Sequence, residues 1–96
     1  MDIQHIDNGE QGAFYIEIDN TKVAEMVYTY SDKNTIIIKH TEVSDRLKGQ
    51  GVGYKLIDAS VEYMRANNLK VIPMCSFAAV VFKKKSEQYA DLLASN

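Results

Sequence analysis

An α+β fold, with a mixed and mostly antiparallel sheet and one strand–helix–strand crossover, is predicted by three features of this sequence. The first half is a series of runs with the two-residue period of strands. A helical period begins after the closely spaced Gly49, Gly51 and Gly53, and a short apolar run follows that helix.

Residues Asp2 to Asp7 alternate, with Ile3 and His5 facing opposite to Gln4 and Ile6, and Asn8-Gly9-Glu10-Gln11-Gly12 supplies turn-forming residues. Phe14, Ile16 and Ile18 then alternate with Tyr15 and Glu17 as in a half-buried strand, and Asp19-Asn20 suits a hairpin. Val23 to Tyr30 is rich in β-branched and aromatic residues, and Asp32-Lys33-Asn34 turns the chain into Thr35 to Val43. Four strands in an antiparallel meander are expected.

The pattern changes at Ser44. Val52, Leu56, Ala59 and Tyr63 recur at spacings of four, three and four, widened by Ile57 and Met64, which predicts a helix from about Gly51 to Ala66. Lys55, Asp58, Glu62 and Arg65 form a solvent-facing stripe in which charges can pair. Asn67-Asn68 ends this helix, and Leu69 to Cys75, with the only Pro, reads as a fifth strand. It is expected to pair in parallel with the strand before the helix, because such crossovers are right-handed. Ser76 is placed as the N-cap of a helix from Phe77 to Lys84, and Ser86 as that of a last helix from Glu87 to Ala94.

Composition narrows the function. The chain has 96 residues, 46% hydrophobic and 25% charged, which suits a single domain over residues 1–96. Eleven Lys and Arg against thirteen Asp and Glu give a net charge of −2, which argues against a nucleic-acid partner. The longest apolar stretch, Val71 to Phe82, falls short of the ~20 residues that span a bilayer, so no membrane role is expected. The N-terminus lacks a basic leader and an apolar segment, and one Cys, Cys75, allows no internal disulfide; a cytoplasmic monomer or homodimer is expected.

The segment from Val43 to Ile57 carries the most chemistry. Its glycines lie between a strand end and a helix start, where the backbone can approach a ligand closely and the first helical amides face the positive end of the dipole. An anion such as a pyrophosphate fits. A nucleotide-triphosphate loop would need Gly-Lys followed by Ser or Thr, and the dinucleotide fingerprint would need Gly at Tyr54 or Leu56, so both are disfavoured.

Lys48-Gly49-Gln50-Gly51-Val52-Gly53, followed by Leu56-Ile57, resembles the acetyl-CoA motif Q/R-x-x-G-x-G/A of GNAT-type N-acetyltransferases. Arg46 with Gly49 and Gly51 fits the spacing, and so does Lys48 with Gly51 and Gly53; the second register is preferred because it sets Leu56-Ile57 against the sheet. The match covers roughly Thr35 to Phe82, and Pro73-Met74-Cys75-Ser76-Phe77 is similar to a small single-domain subgroup. The resemblance implies acetyl-CoA as cosubstrate, an amine of a small molecule or protein as acceptor, and no metal. It also implies cofactor contacts from Val43, Lys48, Gly49, Gln50, Gly51, Val52 and Gly53. Larger members insert helices between the first two strands as part of the acceptor site, whereas only Asn8 to Gly12 joins them here.

Acetyl transfer needs a neutral nucleophile, a stabilised carbonyl oxygen and a proton for the leaving thiolate. His40 and Glu42 share one face of the fourth strand, and His40 is the candidate base. Cys75, where the fifth strand ends, is placed beside the thioester and is the candidate to take the acetyl group covalently. The family's Tyr acid falls at Phe82, which leaves Cys75 or Tyr89 to replace it. Lys83-Lys84-Lys85 reads as a solvated helix end, with attraction of the ribose phosphate of CoA as its functional alternative, and Tyr28 and Tyr30 as sheet packing or acceptor surface. The missing Tyr and short acceptor region motivate an alternative, an acyl-CoA-binding module with little catalysis; a third reading is a structural partner protein whose exposed sheet face docks a target.

Overall fold

The computed structural model describes residues 2–94; Met1, Ser95 and Asn96, the ends of the expected domain, lie outside the described residues. The elements are β1 (Gln4–Asp7), β2 (Gln11–Ile18), β3 (Thr21–Asp32), β4 (Thr35–Val43), a 3₁₀ turn (Asp45–Leu47), α1 (Val52–Ala66), β5 (Lys70–Pro73) and α2 (Ser76–Lys84). They form a five-stranded sheet in the order β1-β2-β3-β4-β5, antiparallel except for the parallel pair β4 and β5. This is the α+β class expected, with α1 as the crossover.

Local chemistry explains the turns. Asn8 Oδ1 accepts from the amides of Glu10 and Gln11, both at 2.9 Å, and Gly9 adopts φ 88°, which closes the first hairpin. At the second, Asp19 and Asn20 both take a positive φ, 52° and 63°, as a two-residue hairpin requires. The strands are longer inward than expected, because Gln11-Gly12 and Thr21-Lys22 already pair. Asp2 and Ile3 are outside β1.

Both helices lie on one face of the sheet. Phe14 and Ile16 of β2, Met26 and Tyr28 of β3, and Ile36 and Ile38 of β4 point to that face and are fully buried with Leu56, Ile57 and Met64 of α1. Burial of apolar area at ~25 cal/mol per Å² is the main stabilising term. The opposite face, with Tyr15, Glu25, Val27, Ile37 and Ile72, is covered by no helix among the described residues. Where α1 meets α2, a Cβ built on Gly53 would lie 2.7 Å from the Phe77 ring. The absence of a side chain at Gly53 lets the helices touch.

Four expectations need correction after the crossover. The fifth strand is Lys70–Pro73 rather than Leu69 to Cys75, because the amides of Met74 and Cys75 both turn to the Ile38 carbonyl, at 3.1 and 3.0 Å. The N-cap of α2 is Cys75, not Ser76: its Sγ accepts from the Ala78 amide at 3.4 Å. The charged stripe of α1 forms no ion pairs within itself among the described residues; Arg65 instead grips Asp91 with a two-pronged contact, Nε–Oδ2 3.2 Å and Nη2–Oδ1 3.1 Å.

No helix runs from Glu87 to Ala94. Those residues form turns, because Val71 of the edge strand takes their peptide groups: its amide donates to Leu92 O at 2.7 Å, and its carbonyl accepts from Ala94 N at 3.0 Å. Covering an open sheet edge outweighs a helix too short to stand alone. No helix among the described residues is long and apolar enough to cross a membrane.

Candidate functional site

β4 and β5 part company midway. They pair from Thr35 and Lys70 to Ile38 and Pro73, after which β5 turns into α2 while β4 continues to Val43 against β3 alone. A bulge sharpens the divergence: Val27 pairs with His40 and Tyr28 with Ile38, which leaves Lys39 unpaired. The result is a wedge-shaped opening between the end of β4 and the start of α2.

The bulge also decides which side chains meet there. Thr41, opposite buried Met26, faces the helix side, and its Oγ1 lies 3.4 Å from Cys75 Sγ. His40 and Glu42 face the bare side, where His40 Nε2 is 3.4 Å from Glu42 Oε1 and both are exposed. His40 and Glu42 are thus brought together as expected. Cys75 is not beside them; it flanks the opening from the other face of β4. Sequence reasoning passed over Thr41, whose signal was its place between two polar residues of the opposite face.

The glycine loop closes the wide end of the wedge. The 3₁₀ turn buries Leu47, and Lys48 Nζ pairs with Asp45 Oδ1 at 2.8 Å, a contact that holds the Asp45 carboxyl below its ordinary range. Gly49 and Gly51 take φ of 81° and 70°, with nothing within 4 Å of where a Cβ would stand, and Gly51 is the N-cap of α1 without a side-chain cap. The next amide with a backbone partner is Lys55, which donates to Gly51 O at 3.1 Å. The amides from Gly49 through Tyr54 therefore have no partner among the described residues, at the positive end of a fifteen-residue helix. Gly53 has a second reason to be glycine, its contact with Phe77.

Other expected residues sit elsewhere. Tyr89 is no candidate for the proton donor: it is buried against Phe82, ring centroids 4.9 Å apart, and burial pushes its phenol further up. Tyr28 is fully buried and belongs to packing rather than to an acceptor surface. Its hydroxyl donates to Asp7 Oδ2 at 2.5 Å and accepts from His5 Nε2 at 2.7 Å; Tyr30 and Tyr63 donate to the same Asp7 oxygen at 2.7 and 3.2 Å. Lys85, at the end of the Lys83-Lys84-Lys85 run, holds its Nζ 5.4 Å from the Tyr54 ring centroid.

Comparison with known proteins agrees with this geometry. The family model described as GCN5-related N-acetyl-transferase matches residues 13–92. A GCN5-like protein of Staphylococcus aureus, solved by NMR, superimposes with a TM-score of 0.75 and 43% identity over 99% of this chain and 89% of its own. A GNAT family acetyltransferase from Elizabethkingia anophelis with acetyl-CoA bound gives a TM-score of 0.59 at 17% identity, over 80% of this chain and 53% of its own, a likeness of fold. The protein NATD1 of Xenopus tropicalis is 30% identical over 71 residues, 73% of this chain; the chain spans 65% of that curated relative's length. With a sheet that opens between β4 and β5 and a family match running from β2 to the terminal turns, the chain belongs to the GCN5-related N-acetyltransferase family.

Proposed function

We propose that this protein is an N-acetyltransferase that takes acetyl-CoA as cosubstrate and passes the acetyl group to an amine. The observation that supports it best is the run of unpaired amides from Gly49 through Tyr54 beside the wedge between β4 and β5. Those amides suit the diphosphate of CoA, and Val43 and Lys48 to Gly53 are its proposed contacts. The unpaired length of β4 offers main-chain groups to the pantetheine arm, which leads the thioester toward Thr41 and Cys75.

Two sets of groups then divide the chemistry. Cys75, the N-cap of α2, stands at the positive end of that helix with Thr41 beside it. It acts either as nucleophile, taking the acetyl group from CoA sulfur and handing it to the amine, or as the acid that protonates the leaving CoA thiolate. His40, steadied by Glu42, faces the open side and removes the proton of an incoming ammonium. A reducing cytosol suits a protein whose thiol must stay free.

The test is titration of the isotope-labelled chain with acetyl-CoA, with ATP as the control, followed by thiol release with a panel of amines. Shifts of the Lys48 to Tyr54 amides with acetyl-CoA alone, and release that depends on amine, are expected. Unmoved amides overturn the binding reading. Binding without release overturns catalysis and leaves an acyl-CoA-binding module.

A further inference from the structure

Lys39 stands where β4 loses both of its neighbours. On one side the bulge leaves it without a register partner on β3, since Val27 pairs with His40 and Tyr28 with Ile38. On the other side β5 pairs no further than Pro73 with Ile38. Lys39 is therefore the first residue of the open length of β4, at the narrow end of the wedge. The carbonyl of the peptide unit that joins Ile38 to Lys39 accepts from the Cys75 amide at 3.0 Å. One hydrogen bond thus ties the backbone at Lys39 to the residue whose sulfur flanks the opening.

The Lys39 side chain is exposed and enters no ion pair among the described residues. Other lysines are engaged or distant. Lys22 and Lys48 lie 2.8 Å from the carboxylates of Glu25 and Asp45, Lys70 donates to the Asp91 carbonyl, and Lys85 lies against the Tyr54 ring. Lys33 is in the turn before β4, and Lys55, Lys83 and Lys84 are on the helices. Lys39 is the one lysine of the strand that lines the wedge. A bulge re-aims the side chain it carries, and a Lys ammonium rides on a flexible stem. His40, the group that faces an incoming ammonium, is the next residue along the chain.

We propose that Lys39 is an acetyl acceptor built into this chain, and that its Nζ takes the acetyl group from the thioester in the wedge when no other amine is present. This step rests on the acetyl-transfer reading, which brings the thioester to Thr41 and Cys75. A tethered amine reacts in a unimolecular step, which favours it over free amines in short supply. Once deprotonated, the Lys39 nitrogen attacks the thioester carbonyl carbon; a C–N bond forms, the C–S bond breaks, and the sulfur of CoA or of Cys75 leaves. Of the two protons that the ammonium gives up, one goes to the leaving thiolate and the other, by way of His40, to water. The product is an amide, which hydroxylamine spares, whereas an acetyl on Cys75 is a thioester, which hydroxylamine strips.

The experiment incubates the full native chain with one molar equivalent of acetyl-CoA and no added amine. An equal amount of heavy-isotope-labelled Gly51→Val chain is present in the same tube as a partner whose loop is blocked. After hydroxylamine treatment, peptide mass mapping locates the remaining acetyl. It is expected on Lys39 of the native chain, at least about tenfold above Lys33 and Lys55 of that chain and above Lys39 of the labelled one. Lys39→Arg, which keeps the positive charge, should hold no stable acetyl and an unchanged thermal midpoint. Acetyl spread evenly over the lysines, equal acetyl on both chains, or the same stable acetyl in Lys39→Arg would each overturn the proposal. A native chain that acetylates added amines but never Lys39 overturns it too, and leaves the acetyl-transfer reading standing. Failure of acetyl-CoA to move the Lys48 to Tyr54 amides of the native chain is a separate result, and it overturns that reading.

Discussion

Thr41 Oγ1 and Cys75 Sγ approach to 3.4 Å across the gap where β4 and β5 separate, and the same sulfur accepts from the Ala78 amide at 3.4 Å. One atom therefore caps α2 and has, in the proposed reaction, the second task of meeting the thioester.

The two tasks separate by substitution. Ser is a good N-cap, so Cys75→Ser is expected to keep the stability of α2, whereas Cys75→Ala loses the cap and about 0.5–1 kcal/mol. Intact mass after incubation with acetyl-CoA should show one added acetyl in the native chain and none in Cys75→Ser. If the Ser variant transfers acetyl as fast as the native chain, the sulfur is a cap and nothing more.

Gly53 and Gly51 should fail for different reasons. In an open helix interior, replacing Gly by Ala stabilises by about 1 kcal/mol. At Gly53 the added methyl meets the Phe77 ring at 2.7 Å, so Gly53→Ala is expected to destabilise, in the range of about 1–3 kcal/mol typical of overpacking. Urea unfolding checks the sign, and Gly53→Ala with Phe77→Ala should recover part of the loss. Gly51 has open space but φ 70°, so Gly51→Val strains the loop and removes acetyl-CoA binding while the fold persists. A Gly51→Val chain that binds acetyl-CoA normally would count against the loop as the diphosphate site.

Asp7 carries a pH dependence. Burial on its own would raise the carboxyl; hydrogen bonds from the Tyr28 and Tyr30 phenols, the Gly9 amide and the Tyr63 phenol outweigh that and lower it below the ordinary 3.8. A carboxylate lowered on folding contributes stability in full above its unfolded pKa, and loses it as pH falls through the folded one. Thermal midpoints of the native chain should therefore drop in acid more steeply than those of Asp7→Asn. Asp7→Ala, which leaves three phenols without their acceptor, should cost about 1–3 kcal/mol near neutrality. Parallel acid profiles for native chain and Asp7→Asn would remove Asp7 from the account.

Legibility in the sequence followed the range of the forces. The meander, the crossover and the loop were legible because alternation, the Val52 to Met64 period and the glycine spacing are local signals. His40 and Glu42 could be put on one face for the same reason. Contacts between distant segments were not legible: no spacing announces that Asp7 will collect phenols from Tyr28, Tyr30 and Tyr63, or that Thr41 will meet Cys75. Gly12 belongs with these, since a Cβ there would run into the Tyr28 hydroxyl, so it is glycine because of a residue on another strand. The terminal turns were misread as a helix because the edge of β5, which captures Leu92 to Ala94, exists only once the sheet is assembled.

His40 remains the group whose role a pH profile decides. It is exposed on the bare face, 3.4 Å from Glu42, and in the proposed reaction it takes the proton of the incoming amine. An imidazole takes up a proton near neutrality, the range in which an ammonium acceptor must be relieved of one. His40→Ala should slow transfer by about a hundredfold near neutral pH. The deficit should shrink in alkaline buffer, where more of the acceptor is already uncharged. Glu42→Gln, which keeps the imidazole but not the carboxylate beside it, should lower the rate less than His40→Ala does. A His40→Ala profile that runs parallel to the native one at every pH would transfer the proton to solvent and leave His40 as a surface side chain.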